Sequence, residues 1–236
     1  MAHKSKEIWK VWGNVFDNYT LRNLFKLISQ GHFEKLQSPI SVGKEANIFT
    51  AETKEKKKVI VKIYRLESCN FNKMYDYIKL DQRYQYLKKH RRRIIFAWTQ
   101  REYRNLLKAR EAGVRVPLPL AVLDHILVLE YIGDDYIALQ LKNNPPENLK
   151  EFFDKIIEYI ELLWKKAKLV HGDLSAFNIL NYDGNPVFID FSQATEVRTS
   201  NANELLERDI KNVCVFFRKQ GMKNLDEEKI KERILS

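Results

Sequence analysis

The chain has 236 residues, of which 44% are hydrophobic and 31% charged, and its 41 lysines and arginines outnumber its 31 aspartates and glutamates to give a net charge of +10. These proportions exclude wholesale disorder and suffice for one large domain or one two-lobed unit. No stretch approaches the roughly 18 to 20 apolar residues of a membrane span, and the basic N-terminus lacks a signal-peptide pattern. The positive charge favours a polyanionic partner, either nucleic acid or nucleotide.

The two cysteines lie far apart in the sequence. Neither Cys69 nor Cys214 belongs to a CxxC motif. This spacing argues against a disulfide framework or a zinc site and suits a reducing compartment. We therefore expect a cytoplasmic protein that does not associate with membranes.

The N-terminal third is predicted to begin with two short amphipathic helices over residues 7–36. Ile8, Trp12 and Phe16 share a stripe on the first helix. Thr20 is the predicted N-cap of the second, which ends at Gly31. The apolar residues of this second helix are Leu21, Leu24, Phe25 and Ile28. From residue 39 the period changes, and SVGKEANIFTA and VIVKIYR predict three strands, with the basic turn ETKEKKK before the last.

The remaining elements alternate between helical and extended patterns. Residues 66–93 carry many tyrosines and end in a basic run at 88–93. A helix is predicted from about Ile94 to Ala112, followed by two short strands and then a long helix over residues 145–168, opened by two prolines. A hairpin with its tip at residues 183–185 and a helical tail complete the prediction.

Three residues around the predicted hairpin could share a metal ion. Asp173 and Asn178 lie five residues apart in HGDLSAFN, and Asp190 follows the last hairpin strand in VFIDFSQ. Two carboxylates and an amide oxygen suit Mg²⁺, which takes oxygen ligands from one or two protein groups and from substrate phosphates. Any one of these residues alone is most simply a turn or cap residue. The ordered set is typical of phosphoryl-transfer enzymes.

A lysine and a glutamate stand out because each interrupts an apolar pattern. Lys62 lies inside the strand VIVKIYR, and Glu102 falls within the apolar stripe of the helix that follows. A buried ammonium needs a partner, so we expect the two side chains to pair. Such a pair orients a lysine toward nucleotide phosphates in phosphoryl-transfer enzymes, and the alternative is a purely structural salt bridge.

The turn between the first two strands of the predicted sheet could hold phosphates. It offers the Ser41 hydroxyl, the Lys44 ammonium and the backbone N–H groups of Gly43, Glu45 and Ala46. With one glycine it is neither a Walker A motif nor GxGxxG, and an ordinary hairpin turn is the alternative.

Together these segments resemble the RIO family of atypical protein kinases, and its first subfamily most closely. The resemblance runs through nearly the whole chain. The phosphate loop, lysine strand and glutamate helix of that subfamily are similar to SVGKEANIF, IVKIYR and WTQREYRNLLKAREAGVRVP. Its hinge, catalytic loop, metal motif and C-terminal signature are similar to LVLEYIG, HGDLSAFNIL, IDFSQA and LLERDIKNVCVFFRKQG.

The resemblance implies an α+β, two-lobed protein-kinase-like fold. Residues 1–39 would be a helical extension packed on the N-lobe. Residues 40–131 would form a small β-rich N-lobe with the basic, Tyr-rich insertion at 66–93. Residues 132–236 would form a reduced helical C-lobe, since the 46 residues after Asp190 are too few for a conventional activation loop and a peptide-docking subdomain. The sequence leaves open whether the protein is archaeal or eukaryotic, and its compact length favours an archaeal origin.

The resemblance also implies the roles of individual residues. Asp173 would be the catalytic aspartate, and Asn178 and Asp190 would bind Mg²⁺, with Mn²⁺ as an alternative; Asp190 would also be a site of transient phosphorylation. ATP would bind with its adenine against the backbone of Glu130 and Ile132. Leu129 would occupy the gatekeeper position, and Asp209 would hold the catalytic loop, with a solvated acid as the alternative.

Three functions fit these expectations. The first is a monomeric, Mg-ATP-dependent kinase or ATPase that acts in maturation of the small ribosomal subunit. The second is a small-molecule phosphotransferase of the aminoglycoside or choline kinase type, in which HGDL and IDF also occur, although GKEA and the Ser192–Gln193 pair argue against it. The third is a nucleotide-gated module that binds rRNA or a subunit precursor, with residues 75–93 as the candidate contact.

Overall fold

The computed structural model of the chain describes residues 16–84 and 86–236. The first predicted helix, with Ile8 and Trp12, lies outside these residues. Within them, an antiparallel sheet with its helices precedes a mainly helical part, in agreement with the predicted α+β class. No helix in the described part of the chain is long and apolar enough to cross a membrane.

Helix α1 (Asn18–Ser29) packs against the sheet that follows it. The predicted N-cap at Thr20 is wrong, because Asp17 caps the helix. Its Oδ1 accepts hydrogen bonds from the backbone N–H groups of Tyr19, at 2.9 Å, and Thr20, at 3.1 Å. The Thr20 hydroxyl donates to Oδ2 of the same carboxylate at 2.6 Å, so Thr20 belongs to the first helical turn. Gly31 follows the helix with a φ of +84°, as its predicted role in ending the helix requires.

The sheet contains five antiparallel strands in the order β1-β2-β3-β5-β4. These strands are β1 (Lys35–Val42), β2 (Ala46–Glu52), β3 (Lys58–Tyr64), β4 (Pro119–Leu123) and β5 (Ile126–Glu130). Strand β1 starts earlier than predicted and tolerates Pro39 because it is an edge strand with a shifted register there. Alternation along β3 packs Val59, Val61 and Ile63 with α1. Lys62 and Tyr64 therefore share the opposite face.

The segment between β3 and β4, which includes the insertion at 66–93, is mostly helical. It contains α2 (Phe71–Ile78), a 3₁₀ turn (Gln82–Tyr84) and the long helix α3 (Arg91–Glu111). Helix α3 starts three residues before the predicted Ile94. It ends before Gly113, whose φ is +92°. Met74 and Ile78 of α2 pack in one apolar cluster with Ile95 and Trp98 of α3.

The second part of the chain packs helices around a small hairpin. Its strands are β6 (Leu139–Gln140), β7 (Leu169–Val170), β8 (Ile179–Tyr182), β9 (Asn185–Phe188) and β10 (Thr195–Glu196). Its helices are α4 (Leu149–Leu162), which continues as a π-helical turn (Leu163–Ala167), α5 (Ala202–Lys219) and α6 (Glu227–Leu235). Helix α4 does not start at the two prolines, because Asn148 caps it by accepting from the Glu151 N–H at 3.1 Å.

The β8–β9 hairpin determines where the metal-site candidates lie. Asp183 and Gly184 form its tip as predicted, with φ values of 51° and 70° that match a two-residue type I′ turn. At the other end of the hairpin, the Ile189 N–H donates to the Asn178 carbonyl at 3.0 Å. Asn178, immediately before β8, and Asp190, two residues after β9, therefore lie side by side.

Candidate active site

A cavity of about 520 Å³ lies between the five-stranded sheet and the β8–β9 hairpin. Its volume falls in the range of nucleotide and cofactor pockets. Its polar wall includes Lys62, Glu102, Asn178 and Asp190. Its apolar wall includes Ile48, Ile60, Leu129, Ile132, Leu180 and Ile189. The cavity thus joins residues that are more than a hundred positions apart in the sequence.

Lys62 is the centre of an ionic cluster at one end of this cavity. Its Nζ donates to Glu102 Oε1 at 2.8 Å and to Asp190 Oδ1 at 3.1 Å. The side chains of Lys62 and Glu102 are buried, with 8% and 1% of their surface exposed, whereas Asp190 keeps 40%. The predicted pairing of Lys62 with Glu102 is confirmed, and the lysine also contacts one of the candidate metal ligands.

Burial and charge act in opposite directions on the pKa values of this cluster. Burial alone would lower the pKa of Lys62, but Asp190 and Glu102 raise it well above its ordinary value, so the lysine is cationic. Burial would raise the pKa of Asp190, yet Lys62 and the Ser192 hydroxyl lower it to about 2. Burial raises the pKa of Glu102 against the effect of Lys62. Asp190 is therefore an anion throughout the physiological range.

Tyr64 is a member of the cluster that the sequence analysis missed. Its hydroxyl donates to Glu102 Oε2 at 2.5 Å, so both carboxylate oxygens of Glu102 have a partner. Burial and the neighbouring Glu102 charge raise the Tyr64 pKa well above its ordinary value, which keeps the hydroxyl protonated as a donor. The signal was available, because Lys62 and Tyr64 are two residues apart on a strand and must share a face.

Asp190 and Asn178 present oxygen atoms that suit a hard cation. Lys62 and the Ser192 hydroxyl, at 2.7 Å, both bind Oδ1 of Asp190. Asn178 turns its amide nitrogen toward Asp173, donating to the backbone carbonyl at 2.8 Å, so its amide oxygen faces away from Asp173. A half-exposed carboxylate and an amide oxygen on one cavity wall fit Mg²⁺, which completes its coordination with water and phosphate oxygens.

Asp173 lies beside this pair without lining the cavity described above. Its Oδ2 accepts from Gln193 Nε2 at 3.1 Å and from Asn178 Nδ2 at 3.3 Å. Burial and the negative charge of Asp190 raise the pKa of Asp173. A carboxylate with a raised pKa is a better proton acceptor, which is the property that a general base requires. Gln193 was not identified as an Asp173 partner from the sequence, because the contact depends on the path of the loop after Asp190.

Helix α5 holds the predicted catalytic loop. Asp209 accepts hydrogen bonds from the backbone N–H groups of Gly172 and Leu174, both at 2.8 Å. The side chain is buried, and burial raises its pKa to about 7 despite these two donors. The predicted role of Asp209 in holding the catalytic loop is confirmed. Asn212 adds a hydrogen bond to the Leu174 carbonyl at 3.1 Å.

The predicted phosphate loop is the tight turn between β1 and β2. Ser41 lines the cavity. The turn is closed by a hydrogen bond from the Gly43 N–H to the Ala46 carbonyl at 3.0 Å. Lys44 and Glu45 complete it. Gly43, Lys44, Glu45 and Ala46 do not line the cavity as it stands, so their contact with phosphates stays a prediction.

The predicted hinge residues, Leu129, Glu130 and Ile132, line the same cavity. The Glu130 side chain is occupied by Arg115, whose two terminal nitrogens donate to it at 2.8 Å each. The Glu130 N–H donates to the Leu118 carbonyl at 2.8 Å, and the contact of this backbone with adenine stays a prediction.

The tyrosines of the insertion divide into two groups. Tyr75, Tyr77 and Tyr84 pack partly buried against the apolar cluster of α2 and α3. Tyr86, by contrast, is 94% exposed, and each basic residue of the run at 88–93 is exposed as well. The segment therefore serves both as the edge of a core and as a basic surface with one exposed aromatic ring.

A family profile and two curated proteins match most of this chain, and all three belong to the RIO family. The family profile described as "RIO domain" matches residues 47–230. The RIO-type serine/threonine-protein kinase Rio1 of Haloferax volcanii is 41% identical over 223 residues, covering 94% of this chain and 76% of that protein. Rio1 of Methanocaldococcus jannaschii is 39% identical over 218 residues, covering 92% of this chain and 74% of that protein.

A solved structure supports the fold. The Rio2 kinase–ADP/Mg²⁺–phosphoaspartate complex of Chaetomium thermophilum superposes with a TM-score of 0.68 at 23% identity, over 89% of this chain and 64% of that chain. The predicted two-lobed, kinase-like fold is therefore confirmed. With a family profile over most of its length and Rio1 relatives near 40% identity, the chain belongs to the RIO family of atypical serine/threonine kinases.

Proposed function

We propose that the protein is an Mg²⁺- and ATP-dependent serine/threonine protein kinase, and that the cavity between the sheet and the β8–β9 hairpin is its active site. The observation that carries this proposal is the contact of one buried lysine, Lys62, with both Glu102 and Asp190 in a cavity of nucleotide size. A structural salt bridge needs only one acid, whereas the second carboxylate faces the cavity and suits a metal ion.

In this proposal the polar wall binds the triphosphate. Lys62 contacts the phosphates, and Asp190 and Asn178 hold Mg²⁺, for which Mn²⁺ is an alternative. The bound ion would neutralise part of the charge that develops on the transferred phosphoryl group. The adenine lies against the backbone of Glu130 and Ile132. The turn that contains Ser41, Gly43, Lys44, Glu45 and Ala46 covers the phosphates.

Asp173 acts on the acceptor. As the oxygen of a serine or threonine hydroxyl bonds to the γ-phosphorus, the bond from that phosphorus to the β,γ-bridging oxygen breaks and ADP leaves. The hydroxyl proton passes to the Asp173 carboxylate, whose raised pKa favours this transfer. Gln193 and Asn178 fix the carboxylate by their hydrogen bonds to Oδ2.

Asp190 is a second acceptor in this proposal. It is anionic at neutral pH, and the related Rio2 structure is a phosphoaspartate complex. Attack of an Asp190 oxygen on the γ-phosphorus with departure of ADP would give an acyl phosphate. Attack of water on that phosphorus would then release inorganic phosphate and restore the carboxylate, and the net reaction is ATP hydrolysis. Kinase and ATPase activity would thus share one site.

A labelling experiment separates these outcomes. The protein is incubated with ATP that carries a labelled γ-phosphate, and label is measured on serine or threonine, on an acyl phosphate cleaved by hydroxylamine, and in free phosphate. Label on serine or threonine supports the kinase, and hydroxylamine-sensitive label that maps to Asp190 supports the phosphoaspartate. Rapid labelling of small hydroxylated acceptors with none on protein would instead support the small-molecule phosphotransferase.

A second function is favoured by the basic surface of the insertion. We propose that the exposed run at 88–93, together with Tyr86, binds RNA of a small ribosomal subunit precursor, with nucleotide state controlling the association. Basic side chains neutralise phosphates, and an exposed aromatic ring can stack on an unpaired base.

The buried free thiols of Cys69 and Cys214 support action in the cytoplasm, and we expect the protein to act there as a monomer.

Charge reversal tests the RNA surface against a matched control. Lys88→Glu with Arg93→Glu should weaken binding to single-stranded ribosomal RNA and reduce its salt dependence. Lys54→Glu with Lys57→Glu makes the same charge change in the exposed turn between β2 and β3 and should retain binding. Equal losses in both variants would show that only net charge matters and would contradict a defined surface.

A further inference from the structure

A chain of buried polar contacts runs from the insertion to the loop that carries Asp190. It starts at Asp81, whose side chain is fully buried in the turn after α2. Asp81 Oδ1 accepts from Arg83 Nε at 2.9 Å, and Asp81 Oδ2 accepts from an Arg83 terminal nitrogen at 2.6 Å. This fork geometry fixes the plane of the Arg83 guanidinium.

Helix α3 supplies a second arginine to the same carboxylate. Arg101 is fully buried, and its Nε lies 3.4 Å from Asp81 Oδ2. Burial lowers the Arg101 pKa to about 10, and the attraction of Asp81 opposes that effect. Arg101 immediately precedes Glu102, the partner of Lys62. Asp81 therefore ties the insertion to the helix segment that completes the ionic cluster.

Asn105, one helical turn further along α3, receives the next contact. Its Oδ1 accepts from an Arg83 terminal nitrogen at 3.2 Å. Its Nδ2 donates to the backbone carbonyls of Phe191, at 3.1 Å, and Ala194, at 2.7 Å. Both amide hydrogens are therefore used, and Arg83 sets which end of the amide faces the loop. A fully buried asparagine with this many directed bonds holds one orientation.

The loop held by Asn105 makes the contacts that shape the candidate site. Between its two bonded carbonyls lie Ser192, which donates to Asp190, and Gln193, which donates to Asp173. Asp190 itself has a φ of +60°, in the left-handed region that non-glycine residues seldom adopt. Such a backbone persists only where neighbouring contacts maintain it. Asn105 bridges the loop on both sides of the two donors.

We propose that Asn105, oriented by Arg83 and Asp81, is a positioning residue that sets the metal-binding conformation of the loop after Asp190. This inference rests on the proposed function of that site. The insertion, which carries the proposed RNA surface, thereby contributes to metal binding through residues that never touch the metal. Partners of this kind typically change metal affinity or activity by about 10- to 100-fold when removed.

The test is a titration of Mg²⁺ into the full chain saturated with a non-hydrolysable ATP analogue. In Asn105→Ala the dissociation constant of Mg²⁺ should rise about tenfold or more. Affinity for the analogue without metal should change little, because Asn105 bonds to neither Glu130 nor Ile132, the proposed adenine contacts. Arg83→Ala should shift Mg²⁺ binding in the same direction, and the double variant should be no worse than Asn105→Ala, since the residues act in series.

Controls separate positioning from stability. Lys79→Ala removes an exposed ion pair with Asp76 in the same insertion and should leave Mg²⁺ binding unchanged. Arg83→Lys cannot reproduce the fork and should be intermediate. A lower unfolding temperature of Asn105→Ala with unchanged Mg²⁺ affinity would overturn the inference. Should Asn105→Ala not fold, unchanged Mg²⁺ affinity in Arg83→Ala would overturn it equally.

The titration also distinguishes failure of this inference from failure of the proposed function. It measures binding and needs no turnover. Loss of Mg²⁺ affinity in Asn105→Ala alongside a wild-type chain that transfers no phosphate would sustain the positioning role and reject the kinase. Normal transfer by the wild type with unchanged Mg²⁺ affinity in both variants would sustain the kinase and reject the positioning role.

Discussion

Replacement of Asp209 by asparagine should change the stability of the protein in a pH-dependent manner. Asp209 Oδ1 and Oδ2 each accept one backbone N–H of the predicted catalytic loop. Asp209→Asn keeps the shape and one acceptor, but it places an amide N–H₂ against the second donor. Leaving one buried N–H unsatisfied costs about 1 to 3 kcal/mol, and this cost does not vary with pH.

Ionisation of Asp209 lowers the free energy of unfolding of the wild type as pH rises. Burial raises its pKa from 3.8 to about 7. The folded state thus favours the protonated acid. The stability that this preference contributes is complete below about pH 4 and is lost as pH rises to about 7. At about 1.4 kcal/mol per pKa unit the loss is on the order of 4 kcal/mol. Asparagine cannot ionise and has no such loss.

The assay is urea unfolding of wild type and Asp209→Asn at several values between pH 4 and pH 8. The wild type should be more stable than the variant at pH 4. Its advantage should shrink as pH rises, and it should vanish or reverse near pH 8. Taking the difference at each pH removes the contributions of all other titrating groups. An advantage that grows with pH would refute the reasoning, because it would show an aspartate stabilised as the anion.

Three further predictions concern single side chains. Tyr64→Phe removes a hydrogen bond to Glu102, worth about 1 to 2 kcal/mol, and should lower kcat/KM for ATP at least about fivefold while the fold survives. Asp17→Ala removes the cap of α1 and should lower the free energy of unfolding measured in urea by about 1 kcal/mol, and unchanged stability would contradict the capping role. Burial lowers the pKa values of His125 and His171 to about 4, so NMR titration should find both neutral at pH 6, and a midpoint near the ordinary 6.5 at either would contradict the burial argument.

The sequence predicts most reliably where a residue breaks a pattern. Lys62 in an apolar strand and Glu102 in an apolar helical stripe each demand a partner, because an isolated buried charge is too costly. The structure joins them. The role of Asp209 in holding the loop was predicted from the resemblance to the RIO family. Its hydrogen bonds with the backbone of Gly172 and Leu174 agree with that prediction. The tip of the hairpin at residues 183–185 was readable because the type I′ turn has strict residue preferences.

Capping was predicted less well because several residues compete. Asp17 and Thr20 both suit an N-cap, and the carboxylate prevails since it accepts two N–H groups and the Thr20 hydroxyl together. At α4 the two prolines predicted a start that is too early. Asn148 caps the helix instead, and its spacing from Glu151 is that of a capping box.

Long-range polar contacts could not be predicted. The contact of Gln193 with Asp173 and the contact of Asn105 with the loop depend on how the chain turns after Asp190. Gln193 breaks no pattern, and Asn105, although it lies in the buried stripe of α3, carries no charge that demands a partner. Asparagine or glutamine in such a place is equally compatible with solvent. Only the folded arrangement shows that these amides are directed at the backbone and carboxylate of the candidate site.

The central claim is that the protein transfers the γ-phosphate of ATP with Asp173 as the general base. Its most direct test is single-turnover transfer of the labelled γ-phosphate at saturating Mg-ATP, in wild type and Asp173→Asn. Asp183→Asn, a conservative change at the exposed hairpin tip, is the matched control. We expect Asp173→Asn to bind ATP as the wild type does but to transfer phosphate about 100-fold more slowly or worse, because a general base is lost. Unchanged transfer in Asp173→Asn would contradict the claim.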